Sequence, residues 1–135
     1  MLMNPELISQ IQNILLQGRT IVTRKDIENK YPKRQLPDAA EVTRFCPSPT
    51  GFVHIGAIFT AMICQTVAKQ SDGVYILRIE DTDKKREVEG AKQLIVEQLN
   101  AFGLSPDEGL QIDGTTKGDY GPYVQSERRD IYLAF

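Results

Sequence analysis

The sequence predicts an α/β fold in which a parallel βαβ unit follows a helical N-terminal extension. Residues 42–46 have the pattern of a short strand, and residues 74–77 form an apolar run typical of a parallel strand covered on both faces. Between them, residues 53–68 are apolar at nearly every position, which predicts a helix buried on all sides. A strand, a helix and a strand in this order predict a right-handed crossover.

Residues 1–40 predict the helical extension. Asn4 and Pro5 favour a helix start, because an asparagine side chain caps free amides and proline fits the first helical position. The apolar residues that follow lie on one helical face, and Gly18 predicts the end of the helix. These apolar residues are Leu7, Ile8, Ile11, Ile14 and Leu15.

A second short helix is predicted in the same extension. Thr23 and Asp26 have the spacing of a capping pair, and the helix is expected to end before Pro32. The stretch around Pro32 is basic, which leaves two interpretations open: a solvated linker, or a contact with RNA or a protein partner. Its basic residues are Lys30, Lys33 and Arg34.

Residues 84–135 predict an amphipathic helix, a loop-rich stretch and a final helix. The first of these helices ends at Gly103, and proline and several glycines predict loops over residues 104–121. Ser126 is expected to cap the final helix, which still continues at Phe135, so we expect a fragment of a longer protein. The apolar face of the amphipathic helix consists of Val88, Ala91, Ile95, Leu99 and Phe102.

The composition excludes several classes of protein. The chain has 135 residues, 16 Lys and Arg against 18 Asp and Glu, and a net charge of −2, which excludes a strongly basic protein that coats nucleic acid. Apolar runs fall short of the roughly 20 residues of a membrane span. Cys46 and Cys64 form no disulfide framework, which favours a cytoplasmic location. Because His54 is the single histidine, we expect no protein-bound metal.

A loop rich in proline and glycine, residues 47–51, separates the first strand from the apolar helix. It lies at the carboxyl end of the predicted sheet, where open α/β folds bind ligands. The free amides and the dipole of a helix N-terminus favour anions such as phosphates. His54 falls in the first turn of this helix, and Gly56 would let a flat base approach the backbone closely.

Three segments carry a family resemblance. Residues 44–57 read RFCPSPTGFVHIGA, residues 77–83 read LRIEDTD, and residues 121–128 read GPYVQSER. In order and spacing they resemble the bacterial glutamyl-tRNA synthetases, which are class I aminoacyl-tRNA synthetases. Ser48 favours this bacterial type, since the glutaminyl and archaeal-type enzymes are similar but have glutamate at that position.

The resemblance implies a partial Rossmann-like nucleotide-binding domain. Residues 41–135 would be the first half of the catalytic domain, truncated, behind the extension of residues 1–40. In the implied reaction, a carboxylate oxygen of glutamate attacks the α-phosphorus of ATP, which is supplied with Mg²⁺, and pyrophosphate leaves. The glutamyl group then passes from the adenylate to the 3′ end of tRNA(Glu). Such chemistry needs alignment of the reactants and stabilised phosphate charge rather than a nucleophilic side chain.

The resemblance also assigns roles to residues at matching positions. It makes His54 and Gly56 catalytic. For glutamate, it assigns the side-chain carboxylate to Arg44, a hydroxyl contact to Ser48 and the ammonium group to Glu80. The ATP-binding residues that it implies are Pro49, Thr50, Gly51, His54, Gly56 and Ala57.

Simpler interpretations stay open for the charged residues. Arg44 and Glu80 could form an ion pair at the strand ends. Residues 81–83 could cap the helix that contains Val88. Arg86 could contact a ligand or form a surface ion pair.

The second ATP signature of the family, a Lys-Met-Ser-Lys-Ser-like loop, is absent from the sequence. We therefore expect the chain to be inactive alone, with the full-length enzyme a monomer and the fragment able to self-associate. Two alternatives remain: a paralogue that attaches glutamate to a modified tRNA base, and a non-catalytic remnant that binds a nucleotide or a partner.

Overall fold

The computed structural model describes residues 4–16 and 22–135, and the predicted helix end at Gly18 lies outside them. The extension contributes two helices, and the remainder contributes three helices, four strands and a 3-10 turn, within the described ranges. In chain order the elements are α1 (Pro5–Leu16), α2 (Arg24–Lys30), β1 (Val42–Phe45), α3 (Ile55–Gln70), β2 (Val74–Leu77), α4 (Ala91–Ala101), β3 (Glu108–Leu110), β4 (Thr116–Lys117), the 3-10 turn (Gln125–Arg128) and α5 (Arg129–Ala134).

The strands form one sheet in the order β1-β2-β3-β4. β1, β2 and β3 run parallel, with Val42 opposite Val74 and Phe45 opposite Leu77, and β4 is antiparallel to β3. The predicted α/β class and its βαβ unit are confirmed. The stretch predicted to be rich in loops, residues 104–121, also contains the two short strands β3 and β4, which were not predicted. Strands of two or three residues are too short to produce an alternating pattern.

The core lies between the sheet and one layer of helices. Its fully buried side chains include Tyr75, Leu77, Ile79 and Leu99, and Ile95 is 1% exposed. The apolar face predicted for α4 is confirmed at its centre, while Val88 and Phe102 at its ends are exposed.

The prediction that α3 is buried on all sides is wrong. The helix packs on β1 and β2 with one face, which contains the buried residues Ile58, Ala61 and Ala68. Its other apolar side chains are exposed, because no described element covers that side. These are Ile55, Phe59, Met62, Ile63 and Val67.

The two helices of the extension begin as predicted. The Glu6 amide donates to Asn4 Oδ1 at 2.9 Å, and Thr23 and Asp26 form a reciprocal capping box. These hydrogen bonds hold the pKa of the Asp26 carboxyl below its usual value. The described apolar side chains of α1, such as Ile14, are exposed.

The C-terminal helix does not begin as predicted. Residues Gln125–Arg128 form a 3-10 turn, and α5 follows it at Arg129. Ser126 caps neither element and instead donates two hydrogen bonds to Asp81. No helix within the described ranges is both long enough and apolar enough to span a membrane.

Candidate functional site

A cleft of about 380 Å³ opens at the carboxyl end of β1, beside the N-terminus of α3. Most of the residues predicted to bind ATP line it: Thr50, Gly51, His54, Gly56 and Ala57, together with Ser48 from the predicted glutamate group. Pro49 does not line the cleft, because its ring is fully buried beneath the loop.

Backbone contacts from two other segments hold the loop that forms this cleft. The Glu80 amide donates to the Pro47 carbonyl, and the Val88 amide donates to the Pro49 carbonyl, both at 2.9 Å. Farther along, the Val53 amide donates to Gln98 of α4, also at 2.9 Å. The loop is therefore fixed through its main chain, which leaves the exposed side chains of Ser48 and Thr50 facing the cleft.

His54 is the N-cap of α3, and its Nδ1 accepts a hydrogen bond of 3.3 Å from the Ala57 amide. Because Nδ1 is the acceptor, the neutral ring carries its proton on Nε2, which can donate to a phosphate oxygen. The ring also lies close to Gly56, where a methyl group would stand 3.2 Å from Cε1 and Nδ1. Glycine at this position therefore lets the imidazole fold over the first helical turn.

Arg44 and Glu80, from the predicted glutamate group, do not line this cleft. Arg44 lines a second cavity of about 170 Å³ beside the sheet, together with Ile76, Arg78, Tyr120, Tyr123 and Arg128. Glu80 accepts a hydrogen bond of 2.9 Å from Arg78 rather than from Arg44. The ion pair at the strand ends therefore exists, but with Arg78 in place of Arg44.

Asp81 has a structural role that the sequence did not reveal. Its side chain is 1% exposed and accepts hydrogen bonds from Lys84, Lys92 and both the amide and the hydroxyl of Ser126. Burial alone would raise the pKa of Asp81, but these hydrogen bonds outweigh it and hold the pKa well below its usual value. The helix-cap interpretation of residues 81–83 is wrong, because α4 begins ten residues after Asp81, at Ala91, and its N-cap is Gly90.

The remaining candidates are less informative about ligands. Arg86 forms an exposed ion pair of 2.7 Å with Asp83, as one of its two interpretations expected. Cys46 lines the cleft, whereas Cys64 packs against the core and burial raises its pKa. In the described part of the chain, no three His, Cys, Asp or Glu side chains are grouped so that they could hold a metal ion.

Comparison with known proteins shows the family. Residues 41–135 match the model of the catalytic domain of the class I tRNA synthetases (E and Q). Over 121 residues the chain is 55% identical to a glutamate–tRNA ligase of Clostridium beijerinckii, covering 90% of the chain and 22% of that protein. Over 106 residues it is 53% identical to the enzyme of Clostridium perfringens, covering 78% and 19%.

Two solved structures of such enzymes are similar to this chain. The glutamate–tRNA synthetase of Elizabethkingia anophelis superposes with a TM-score of 0.62 at 47% identity, over 69% of this chain and 18% of that one. A glutamate tRNA ligase of Elizabethkingia meningosepticum, solved with its amino acid, gives 0.61 at 47% identity, over 70% and 18%. The chain thus spans about a fifth of the length of these relatives. It belongs to the class I tRNA synthetase family (E and Q), through the catalytic domain.

Proposed function

We propose that the chain is the N-terminal part of a glutamate–tRNA ligase. Such an enzyme activates glutamate with ATP and transfers the glutamyl group to the 3′ end of tRNA(Glu). In this proposal, residues 41–135 form the first half of the catalytic domain and residues 1–40 extend it. One observation carries the proposal: most residues of the signature motif meet in one cleft at a helix N-terminus. The relatives that are 55% and 53% identical to this chain bear this name.

The cleft has the properties that ATP binding requires. His54 Nε2 and the first amides of α3 offer hydrogen-bond donors for phosphate oxygens. Thr50 adds a hydroxyl, while Gly51, Gly56 and Ala57 leave room for the nucleotide; Pro49 shapes the loop from beneath. The Mg²⁺ would arrive with ATP as part of the substrate, without a metal site in the protein.

Glutamate would lie between the cleft and the cavity of Arg44. Ser48 faces the cleft, and Arg44, which is an exposed residue, lines the second cavity. Glu80 uses Oε1 for Arg78, so Oε2 is the oxygen that would accept the ammonium group of glutamate. A carboxylate and an ammonium group of one ligand would thus meet opposite charges.

The protein is expected to act in the cytoplasm, with the complete enzyme a monomer. The exposed apolar side of α3 would favour self-association of the isolated chain.

A chimera tests the proposal directly. In it, this chain replaces the matching segment of the 55% identical clostridial ligase. The chimera should charge tRNA(Glu) and, with tRNA(Glu) present, should exchange pyrophosphate into ATP when glutamate, but not glutamine, is added. The isolated chain should do neither. A well-folded chimera that consumes no ATP with glutamate and tRNA would contradict the proposal, whereas transfer to a modified base would favour the paralogue.

A further inference from the structure

One residue of the basic stretch, Arg34, packs against the body of the protein, while Lys30 and Lys33 are exposed. Nη1 and Nη2 of Arg34 donate to the two carboxylate oxygens of Glu108, at 2.5 and 2.7 Å. The side chains are only 18% and 13% exposed, so water screens this pair weakly. The solvated-linker interpretation is therefore wrong for Arg34.

Tyr120 is the second point of contact between the extension and the body. The Arg34 guanidinium carbon lies 3.7 Å from the centre of the Tyr120 ring, and the Tyr31 ring stacks 6.3 Å away. The Tyr120 hydroxyl donates to the Pro32 carbonyl at 2.8 Å. Three of the four residues 31–34 therefore contact one tyrosine, through a cation–π contact, a ring stack and a hydrogen bond.

The same contacts continue into the cavity that contains Arg44. Glu108 also accepts the Tyr123 hydroxyl at 2.8 Å, and that hydroxyl accepts the Tyr120 amide at 3.0 Å. Arg128 then donates to the carbonyl of Pro122 at 2.6 Å. Tyr120, Tyr123 and Arg128 form one wall of the cavity that Arg44 lines.

The loop that joins this wall to β4 passes close to the contact between Glu108 and Tyr123. Gly118 has a φ of +106°, which other residues rarely adopt. A methyl group there would collide with the Tyr123 hydroxyl and the Glu108 side chain, so only glycine fits. A displacement of Glu108 would reach Tyr123 through the hydrogen bond that joins them.

We propose that residues 31–34 position the wall of Tyr120, Tyr123 and Arg128 opposite Arg44, and so set how well Arg44 receives the side-chain carboxylate of its substrate. Arg34 is the positioning residue, because it alone in this stretch holds both Glu108 and Tyr120. The planar guanidinium group of arginine can pair with two oxygens and stack on a ring in one defined geometry, which the ammonium group of lysine cannot do. The part about the substrate rests on the proposed function.

Nuclear magnetic resonance on this 135-residue chain tests the positioning, whatever the chain's activity. Arg34→Ala should speed hydrogen exchange of the Tyr120 amide by at least about tenfold and shift the Nε–H signals of Arg44 and Arg128. Arg34→Lys keeps the charge and should change the same signals less, in a chain that stays folded. Lys33→Ala removes an exposed charge from the same stretch and should leave them unchanged.

Unchanged exchange and unchanged arginine signals in folded Arg34→Ala or Arg34→Lys would overturn the proposal. So would equal changes in Lys33→Ala, because they would show a general effect of charge.

Kinetics of the chimera test the consequence for the substrate. Arg34→Ala should raise KM for glutamate by roughly tenfold and leave KM for ATP within about twofold, because the ATP cleft is formed by other residues. Simple loss of folded enzyme would instead lower kcat and leave both KM values unchanged, which would overturn the proposal. If the unsubstituted chimera does not activate glutamate, the proposed function fails and the resonance experiment still decides the positioning.

Discussion

The side chains of the cleft and the carboxylates of Asp81 and Glu108 differ in how much of their hydrogen-bonding capacity the fold uses. Ser48 and His54 are exposed, and the contact from Ala57 to the imidazole is long, at 3.3 Å. Asp81 accepts four hydrogen bonds from three residues, and Glu108 accepts three from two residues. The cleft therefore keeps its polar groups for a ligand, whereas Asp81 and Glu108 use theirs to join distant parts of the fold.

Removal of the buried carboxylate should have the largest effect on stability. Asp81→Ala leaves the Ser126 amide and hydroxyl without their acceptor and Lys92 with Glu87 alone, and breaking a buried charged pair costs about 3–5 kcal/mol of unfolding free energy. Asp83→Ala is the matched control two residues away. It breaks an exposed pair with Arg86 and should cost far less, because water screens that pair. Urea unfolding measures both values, and equal losses would contradict the contrast between buried and exposed carboxylates.

Ile58 and Phe59, which are adjacent on α3, extend this comparison to apolar side chains. Ile58 is 8% exposed against the sheet, so Ile58→Ala should lower the unfolding free energy by about 2–4 kcal/mol. Phe59 is 57% exposed, and Phe59→Ala should change it by no more than about 0.5 kcal/mol. Thermal unfolding monitored by circular dichroism checks the pair. A large loss from Phe59→Ala would mean that something covers this side of α3, such as a second copy of the chain.

Acid should lower the unfolding free energy, and this is the smallest of the expected effects. The hydrogen bond from Arg34 lowers the pKa of Glu108 below its usual 4.5. Because the folded value is the lower one, the pair stabilises the protein above that pH, and the stability is lost as the pH falls through the folded pKa. The pKa of Asp81 is also lowered from its usual 3.8, so the stability that Asp81 contributes is likewise lost as the pH falls. Urea midpoints between pH 7 and about pH 3 should therefore fall at the acid end.

Glu108→Gln is the control for this pH dependence. The variant has lost one of the titrating carboxyls, so its midpoints should start lower and fall less steeply below pH 4.5. Parallel curves for the variant and the unsubstituted chain would show that Glu108 does not contribute.

The parts of the fold that follow from local pattern were predictable. The apolar runs of β1 and β2 indicate parallel strands, and the capping box of Thr23 is visible in the sequence. The exposure of one side of α3 was not predictable, because an apolar pattern does not tell which other elements are present to cover the helix. β3 and β4 were missed because pairing with neighbours, not their own composition, defines them.

The candidate site, like the fold, has a part that was predictable from the sequence and a part that was not. The signature loop and its helix N-terminus follow from residues adjacent in sequence, so the cleft was predictable. Side-chain partners distant in sequence were not: Arg34 and Glu108 are 74 positions apart, and Asp81 and Ser126 are 45 apart. Arg78 was overlooked as the partner of Glu80, although residues two apart in an extended segment lie on the same face, so this contact was open to prediction.

The most direct test of the account measures stability and activity together in His54→Asn of the chimera. Asparagine is as good an N-cap as any residue, so the unfolding free energy should stay within about 0.5 kcal/mol. The donor to phosphate is lost, so glutamate-dependent pyrophosphate exchange should fall by roughly 100-fold. Full exchange activity in a folded His54→Asn chimera would contradict the claim that the cleft keeps its polar groups for the substrate.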